Sequence, residues 1–478
     1  MPGEERVGTG VSGFDEVLDG GFLPNRSYMV SGAAGTGKTV LALHFLEAGL
    51  AAGEAALFVS FEESEASIRD NGARLGFDLA DLTVLDLSPD PEFFQADREY
   101  DVFGADEVES GSVAEQVRAA VEEHDPDRVV LDAFTTFRRL SRDDYEFRAT
   151  AASLVRYLSA DATVVFTGER GTAADDLEFV SDGHVRLSRA EKGRTLAVTK
   201  FRGSGYRSGA HTMRITADGA VVSPKLVPGE HAAEFSADRV VSGIDGMDEM
   251  LSGGVTRGTV TIISGPSGVG KSTLGSHFVR EAARRGERSV IYLLEEKGDT
   301  FRHRSQAIGH PVDEMEADGS LAVEEIEPLS VSPDEFAAAV REEVEGRGAS
   351  TVMIDGISGY RLALRGEDDD LRRELHGLVR YLRNMGVTVL LTDETPLAST
   401  DVAVTGSEVS YLADNVVLLR YYEAGGELNK AVGVLKMRAS DFERGLREFA
   451  ITGEGVVVGD RLDRFRGVLT GVPEPIDG

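Results

Sequence analysis

Two short segments of the sequence share the spacing glycine, four residues, glycine, lysine and then a hydroxyl residue. In such a segment the glycines let backbone N–H groups surround a phosphate, and the lysine places a positive charge on the outer phosphates. The hydroxyl can bind Mg²⁺. We therefore predict two P-loops that bind ATP with Mg²⁺. Their residues are Gly32, Ala33, Ala34, Gly35, Thr36, Gly37, Lys38 and Thr39 in the first, and Gly265, Pro266, Ser267, Gly268, Val269, Gly270, Lys271 and Ser272 in the second.

An aspartate ends an apolar stretch downstream of each P-loop, Asp132 in the first half and Asp355 in the second. In P-loop proteins a strand-terminal aspartate orients the magnesium ion together with the P-loop hydroxyl. An aspartate in this place could also simply cap a loop. The same order in both halves favours the magnesium role, in which Thr39 acts with Asp132 and Ser272 acts with Asp355.

A pair of glutamates ends the apolar stretch that follows each predicted P-loop helix. The pairs are Glu62 with Glu63 and Glu295 with Glu296. Hydrolysis requires a group that orients or deprotonates the attacking water, and a carboxylate near the γ-phosphate can do this. Adjacent residues of a strand point to opposite sides, so we predict that one carboxylate of each pair faces the phosphate. A solvated acidic strand end is the alternative, and the repetition favours catalysis.

Two lysine–x–arginine segments lie far downstream of the P-loops. They are Lys200-Phe201-Arg202 and Lys436-Met437-Arg438. Alternation places both cations on one face of a strand, where they could meet a phosphate held by a neighbouring subunit. Ordinary surface cations are the alternative. The chain has only eight lysines, and four of them lie in the P-loops and these two segments, which favours the phosphate role.

The motifs recur in the same order and at nearly constant intervals, which indicates a tandem duplication. A polar stretch around residues 228–234 lies between the two copies. We predict a first domain at residues 1–232, a second at 233–461 and a C-terminal tail at 462–478.

Each copy alternates short apolar stretches with longer amphipathic segments, a pattern typical of α/β domains with a central, mostly parallel sheet. Four parallel strands are predicted in each copy, followed by an antiparallel extension. The core strands are Ser27–Ser31, Ala56–Phe61, Arg128–Asp132 and Thr163–Thr167 in the first copy, and Thr259–Ser264, Ser289–Leu294, Thr351–Asp355 and Thr388–Thr392 in the second. The extension is predicted at Val185–Leu187, Leu196–Phe201, Asn415–Tyr421 and Val432–Met437, and the acidic stretches Ser88–Ser112 and Asp313–Asp334 as surface loops and helices.

The composition excludes several other classes of function. The absence of cysteine excludes disulfides, thiolate metal sites and cysteine nucleophiles. No apolar stretch is long enough for a transmembrane helix and the N-terminus does not resemble a signal peptide, so we expect a cytoplasmic protein. A net charge of −33 disfavours binding to nucleic acid or anionic lipid. Abundant acidic residues with few lysines are typical of a salt-adapted cytoplasm, and an ordinary acidic protein is the alternative.

The tandem P-loops, glutamate pairs and lysine–x–arginine segments together resemble the KaiC family of two-domain RecA-like ATPases. Segments Ala431–Thr452 and Phe465–Pro473 resemble the end of that family's second domain and the segment that follows it, and the resemblance extends from about Gly8 to Pro473. It implies a double-ring homohexamer with ATP between subunits, and regulatory protein partners. It implies hydrolysis supported by Glu62 and Glu63, phosphoryl transfer served by Glu295 and Glu296, and Glu295 as the general base.

The family also implies an autophosphorylated serine–threonine pair in the second domain. The corresponding positions are Ser410 and Tyr411, so the serine matches and the threonine is replaced. We therefore predict an ATPase, with serine autokinase activity at Ser410 left open. A RecA/RadA-like DNA recombinase or helicase is one alternative, although Ala133–Tyr145 and Gly356–Asp370 carry Asp and Glu as well as Arg and show no basic, aromatic stacking platform. A nucleotide-gated scaffold with little turnover is the other.

Overall fold

The computed structural model of the protein describes residues 5–88, 106–140, 143–169, 177–190, 193–230, 234, 236–364, 368–395, 411–468 and 474–475. The chain divides into two compact units, Met1–Lys225 and Leu226–Gly478, which are described separately below. The domain limits 1–232 and 233–461, with a tail at 462–478, remain a proposal.

The first unit contains a nine-stranded sheet flanked by helices. Its strands are β1 Ser27–Ser31, β2 Ala56–Ser60, β3 Thr83–Asp86, β4 Arg128–Asp132, β5 Thr163–Gly168, β6 Gly183–Ala190, β7 Gly193–Phe201, β8 His211–Thr216 and β9 Gly219–Ser223. Its α-helices are α1 Ser12–Val17, α2 Lys38–Ala51, α3 Glu65–Arg74, α4 Asp106–His124 and α5 Asp144–Leu158, and a 3₁₀ helix covers Phe134–Leu140.

The second unit contains another nine-stranded sheet and two short strand pairs. Its strands are β10 Arg239–Val240, β11 Val255–Thr256, β12 Val260–Gly265, β13 Arg288–Leu293, β14 Leu321–Glu325, β15 Ala349–Asp355, β16 Thr388–Glu394, β17 Asn415–Ala424, β18 Glu427–Met437, β19 Arg447–Thr452, β20 Gly455–Arg461, β21 Phe465–Arg466 and β22 Glu474–Pro475. Its helices are α6 Asp245–Met250, α7 Lys271–Arg284, α8 Gly298–Ala307, α9 Val312–Ala317, α10 Pro333–Arg341, α11 Ile357–Ala363 and α12 Asp368–Asn384, with a 3₁₀ turn at Pro228–Glu230 and a π-helical turn at Glu342–Gly346.

The two large sheets have the same topology. The orders are β3-β2-β4-β5-β1-β6-β7-β8-β9 and β14-β13-β15-β16-β12-β17-β18-β19-β20. Neighbours are parallel up to β6 and β17, and antiparallel beyond them. This confirms the predicted tandem RecA-like α/β fold. One detail was wrong, because β6 and β17 pair in parallel with β1 and β12, and the antiparallel part begins only on their other side.

The central parallel strands of each sheet are buried on both faces. Successive residues of a strand point to opposite faces, and in β1 Tyr28 and Val30 pack in one apolar cluster whereas Met29 packs in another. In β12 Ile262 and Ile263 are divided between two clusters in the same way. Burial on both sides explains why these strands are continuously apolar in the sequence.

The edge strands β3 and β14 were not predicted, and neither were the last two strands of each extension, β8 with β9 and β19 with β20. Strand β3 is only partly buried, and β14 lies within the acidic stretch Asp313–Asp334, which was predicted as loops and helices and is wrong at this point. In β14, Leu321 and Val323 are buried whereas Glu324 and Glu325 are exposed. Pairing with β13 therefore stabilises a segment whose own sequence gives only a weak strand signal.

Helices α2 and α7 each begin immediately after a glycine with a left-handed backbone, Gly37 at φ 107° and Gly270 at φ 118°. A Cβ atom on Gly37 would lie 2.9 Å from Met213 Cε, and one on Gly270 would lie 2.7 Å from Ile451 Cδ1. Both the backbone angle and the packing therefore require glycine. The antiparallel extension supports the loop before each of these helices. In the part of the chain that is described, every helix is too short or too polar to cross a bilayer.

Candidate nucleotide-binding sites

In each unit the P-loop, the glutamate pair and the strand-terminal aspartate lie at the carboxyl edge of the parallel sheet. In the first unit β1 leads into the P-loop, β2 leads into the glutamates, and β4 ends at Asp132. Strands β12, β13 and β15 have the same arrangement in the second unit, where β15 ends at Asp355. Ligands of open α/β sheets bind at this edge, so the topology brings the predicted residues to one place.

A direct hydrogen bond joins each P-loop hydroxyl to its strand-terminal aspartate. Thr39 Oγ1 donates to Asp132 Oδ2 over 2.7 Å, and Ser272 Oγ donates to Asp355 Oδ1 over 2.8 Å. Hydroxyl and carboxylate oxygens are ligands that Mg²⁺ accepts, usually with substrate phosphates and water in the remaining positions. The side chains present therefore fit a magnesium ion in both units.

A threonine completes each pair, and sequence reasoning missed it. Thr167 Oγ1 donates to Asp132 Oδ1, and Thr392 Oγ1 donates to Asp355 Oδ1 over 2.6 Å. Both threonines lie near the carboxyl end of a core strand. Their signal was present in the sequence, because the predicted core strands of both copies ended on a threonine at this place.

Burial raises the pKa of the Asp132 carboxyl, and the charge of Glu63 acts in the same direction. The hydrogen bonds from Thr167 and Thr39 and the charge of Lys38 lower this pKa and oppose the effect of burial. The carboxylate is therefore costly to bury, and its hydroxyl donors offset part of that cost.

The P-loop lysines are held over their own loops. Lys38 Nζ donates to the carbonyl oxygens of Gly32 over 3.0 Å and Ala33 over 3.1 Å. Lys271 Nζ donates to the carbonyl oxygen of Pro266 over 2.9 Å. Each ammonium group is thus positioned at the mouth of the loop, where it can meet a phosphate.

The second site carries more negative charge. Burial lowers the pKa of Lys271, and nearby carboxylates, including Glu394 and Asp393 at the end of β16, oppose this change. In the first unit Gly168 occupies the sheet position of Asp393, since Gly168 pairs with the last residue of β1 and Asp393 pairs with its counterpart in β12. The two nucleotide sites therefore differ by one carboxylate beside the P-loop strand.

The glutamates of the first pair lie in the bend after β2, and those of the second pair follow β13 in the same way. The predicted strands therefore ended one residue too late. The two carboxylates of each pair diverge. Glu62 accepts a hydrogen bond from the Thr136 hydroxyl, whereas Glu63 accepts one from Asn71 Nδ2 over 3.1 Å on helix α3.

The second pair diverges in the same way. The backbone N–H of Gly359 donates to Glu295, and Glu296 forms an ion pair of 2.9 Å with Arg304 on helix α8. Burial raises the pKa of both carboxyls. Glu394 and Asp355 raise the pKa of Glu295 further, whereas Arg304 lowers that of Glu296. Glu295 thus has the environment of a proton acceptor near Lys271.

The lysine–x–arginine segments lie at the opposite, amino edge of each sheet. Lys200 pairs with His184 near the start of β6, which runs parallel to β1. Lys200 Nζ donates to the Glu178 carbonyl oxygen over 2.6 Å, and Lys436 Nζ donates to the Ala413 carbonyl oxygen over 2.7 Å. The structure therefore does not bring these lysines to the P-loop of their own unit.

Burial lowers the pKa of Lys200 and Lys436. The neighbouring arginine, Arg202 or Arg438, lowers it further in each case. The middle residues, Phe201 and Met437, point into the apolar core and are buried.

An aspartate that sequence reasoning did not assign to the site anchors each of these segments. Asp182 lies 3.9 Å from Arg202 Nη1, and Asp414 lies 3.6 Å from Arg438 Nη1. Each aspartate also accepts a hydrogen bond from the backbone N–H of the first residue of the strand that leads into the P-loop, Ser27 of β1 or Val260 of β12. The segment and the P-loop strand are therefore tied together at the amino edge.

Comparison with known proteins decides the family. A family model described as "ATPase: KaiC" matches the chain twice, over residues 7–227 and 240–463. The chain belongs to the KaiC ATPase family. The resemblance inferred from the motifs is thereby confirmed, and the chain is an ATPase with a duplicated nucleotide-binding domain.

Similar proteins from three organisms carry the name circadian clock oscillator protein KaiC. The protein of Parasynechococcus marenigrum is 29% identical over 99% of this chain and 94% of its own length. The corresponding values are 30%, 99% and 96% for Prochlorococcus marinus, and 29%, 98% and 92% for Synechococcus elongatus. The similarity to KaiC thus extends over nearly the whole chain.

The predicted phosphoacceptor, Ser410, lies outside the described residues. The adjacent Tyr411 is 54% exposed, and its ring lies 5.6 Å from that of His376 on α12. A phenol therefore lies at the surface next to the predicted phosphoacceptor position.

Replacement of Glu295 by glutamine is expected to raise the free energy of unfolding of the nucleotide-free second unit at neutral pH. An acid whose pKa is higher in the folded state destabilises the fold once the pH exceeds its unfolded value, 4.5 for glutamate. The free energy of unfolding of the unchanged protein should fall as the pH rises through the raised pKa of Glu295. The Glu295→Gln variant should not show the part of this decrease that Glu295 causes.

Urea denaturation between about pH 5 and 8, with hydrogen exchange of the second unit's backbone amides as the probe of unfolding, measures this difference in stability between the variant and the unchanged protein. Glu454→Gln, which changes an exposed carboxylate in the turn between β19 and β20, is the matched control. The raised pKa assigned to Glu295 would be contradicted if the Glu295→Gln variant were less stable than the control, or if its free energy of unfolding depended on pH as strongly as that of the control.

Proposed function

We propose that this KaiC-like regulatory ATPase acts in the cytoplasm as a homohexamer, with ATP and Mg²⁺ bound at both P-loops between neighbouring subunits. One observation carries the proposal. In each unit the P-loop lies at the carboxyl edge of the sheet and the lysine–x–arginine segment lies at the amino edge. A nucleotide on one P-loop would therefore receive the second set of cations from a neighbouring subunit.

Each site has a complete set of groups for phosphoryl chemistry. Lys38 and Lys271 would contact the outer phosphates, and the pairs Thr39–Asp132 and Ser272–Asp355 would hold Mg²⁺. When bound, Mg²⁺ bridges phosphate oxygens and neutralises their developing charge. The cations of Lys200, Arg202, Lys436 and Arg438 would stabilise the same charge from the neighbouring subunit.

We assign the water-orienting role to the first glutamate of each pair. Glu295 acts electrostatically on Lys271, whereas Glu296 is engaged in its ion pair with Arg304. Glu62 occupies the corresponding place in the first unit, while Glu63 contacts Asn71. The second glutamates would support the first by fixing the bend and adding negative potential.

Membership of the KaiC ATPase family favours hydrolysis over the recombinase and scaffold alternatives. The similar proteins are named as clock oscillators, so a regulatory output that passes through protein partners is the fitting role for this chain. Serine autokinase activity at Ser410 is part of the proposal for the second domain. The tyrosine at position 411 restricts it to one site of the serine–threonine pair.

The double variant Glu62→Gln and Glu63→Gln, made on a background in which Glu295 and Glu296 are already glutamine, is expected to abolish the remaining ATP turnover. General-base residues contribute about 10²–10⁴-fold to rate, so phosphate release should fall by at least that order. ATP affinity should change little, because the P-loop is intact. Unchanged turnover, or loss of binding in parallel with turnover, would contradict the catalytic assignment.

Incubation with γ-labelled ATP followed by peptide mapping is expected to place label on Ser410. Ser410→Ala should remove the label, whereas Tyr411→Phe should retain it. Glu295→Gln should reduce labelling, since the second site would transfer the phosphoryl group. Label at another residue, or no label while ATP is being hydrolysed, would retire the autokinase part of the proposal and leave a plain ATPase.

A further inference from the structure

A buried histidine of the first unit, His184 on β6, contacts a different part of the unit with each ring nitrogen. Its Nε2 lies 2.7 Å from the hydroxyl oxygen of Ser31, the last residue of β1 before the P-loop. Its Nδ1 lies 2.8 Å from Thr199 Oγ1 on β7 and 3.2 Å from Glu178 Oε1, in the segment before β6. Only 3% of His184 is exposed, so the imidazole is held from both sides.

These contacts determine which nitrogen of the imidazole carries the proton. Burial lowers the pKa of His184, although the charge of Glu178 opposes this change, and the ring is neutral at neutral pH. A carboxylate only accepts hydrogen bonds, so Nδ1 must carry the proton that faces Glu178. Nε2 is then an acceptor, and the Ser31 hydroxyl donates to it. The imidazole thus accepts a hydrogen bond from the P-loop strand and donates one toward Glu178.

Glu178 in turn holds Lys200 through its backbone. Its carbonyl oxygen accepts the hydrogen bond from Lys200 Nζ over 2.6 Å, while its side chain contacts His184. Lys200 also lies directly opposite His184 in the β6–β7 ladder. A shift of Glu178 would therefore move the acceptor that holds the ammonium group. A continuous series of hydrogen bonds leads from Ser31, beside the P-loop, to Lys200 at the amino edge.

The second unit does not have this imidazole. Val416 of β17 occupies the sheet position that His184 has in β6. Ser264 precedes the second P-loop as Ser31 precedes the first, and its buried hydroxyl has no hydrogen-bond partner within the described residues. A P-loop domain of this fold can therefore form without the histidine. Simple duplication does not account for His184, which serves a need of the first unit alone.

We propose that His184 is a positioning residue for ATP hydrolysis at the first site, which sets the place of Lys200 by holding Glu178. The imidazole, fixed by Ser31, keeps the Glu178 carbonyl where it accepts the ammonium group. A cation that stabilises a developing charge depends on preorganised geometry, so a small displacement of Lys200 lowers the rate. The effect on the rate rests on the proposed function of Lys200 across the subunit interface, whereas the effect on its position does not.

The position of Lys200 can be measured in the full chain without nucleotide. Acetic anhydride modifies lysine amines, and mass spectrometry compares the labelling of Lys200 with that of Lys436 in the same molecules. Lys436 is the internal reference because its anchor is the Ala413 carbonyl oxygen of the other unit, at 2.7 Å. His184→Val is expected to raise the labelling of Lys200 relative to Lys436 by about tenfold, the usual effect of losing a charged hydrogen bond.

Two further variants show whether the effect is specific. His184→Asn should raise the labelling ratio less than His184→Val, because the asparagine amide can still donate a hydrogen bond toward Glu178. His211→Val is the matched control, since it removes another buried histidine of the first unit, whose ring contacts the Arg207 carbonyl oxygen and the Lys225 N–H. The control should leave the ratio at the value of the parent protein. A His184→Val ratio equal to that of the parent, or an increase that His211→Val reproduces, overturns the proposal.

The effect on hydrolysis is measured with Glu295 and Glu296 replaced by glutamine, so that ATP turnover reports the first site. His184→Val should lower the rate at saturating ATP by about tenfold, with little change in the ATP concentration for half-maximal rate, because the P-loop lysine is unchanged. Mixing this protein with Lys38→Ala subunits should restore turnover, since those subunits bring Lys200 on an intact anchor.

The Lys200→Ala protein separates this proposal from the proposed function. If Lys200→Ala is impaired and regains turnover with Lys38→Ala subunits, the cation acts across the interface. A His184→Val protein that is then unimpaired, or that the same mixing does not restore, overturns the positioning role. Full turnover by Lys200→Ala, or a loss that mixing does not repair, would instead contradict the proposed function. The labelling ratio would then decide the proposal by itself, with a raised ratio supporting it and an unchanged ratio overturning it.

Discussion

The hydrogen bond from a P-loop hydroxyl to a strand-terminal aspartate is the contact on which each site depends. It joins the first turn of α2 to the end of β4 in the first unit, through Thr39 and Asp132. Ser272 and Asp355 form the same link in the second. The threonines of β5 and β16 donate to the same carboxylates, Thr167 to the second oxygen of Asp132 and Thr392 to the oxygen of Asp355 that Ser272 also binds. Three elements therefore converge on each carboxylate. The antiparallel extension packs against the glycine before each P-loop lysine, Gly37 or Gly270, and so holds the loop in that geometry.

The net charge is the second constraint, because a chain with a net charge of −33 must bind a negatively charged triphosphate. It does so by placing four of its eight lysines at the two edges of the sheets, and aspartates anchor the neighbouring arginines at the amino edge. The two sites meet this constraint differently. Asp393 adds a carboxylate beside the second P-loop where the first unit has Gly168. The second site therefore has one more carboxylate acting on its P-loop lysine before nucleotide binds.

The sequence was sufficient to predict the fold class, most core strands and the hydroxyl–aspartate pairs, because buried parallel strands are continuously apolar and motif order was duplicated. Strand β14 was missed because only Leu321 and Val323 of its five residues are buried, and its pairing with β13 cannot be seen in the sequence. The anchoring role of Asp414 could not be predicted, because it depends on the side-by-side pairing of β12 and β17, which are far apart in sequence. The direction in which each side chain of a glutamate pair points could not be predicted either, because it depends on tertiary partners such as Arg304, the partner of Glu296.

The most direct test of the central claim, that each nucleotide is completed by a neighbouring subunit, is ATP turnover in mixed assemblies. One protein carries Lys38→Ala and Lys271→Ala, and the other carries alanine at Lys200, Arg202, Lys436 and Arg438. Each alone should be nearly inactive. A mixture prepared before nucleotide is added should regain activity, because an intact P-loop can then face an intact lysine–x–arginine segment. Full turnover by the second protein alone, or a mixture no more active than its parts, would contradict the claim.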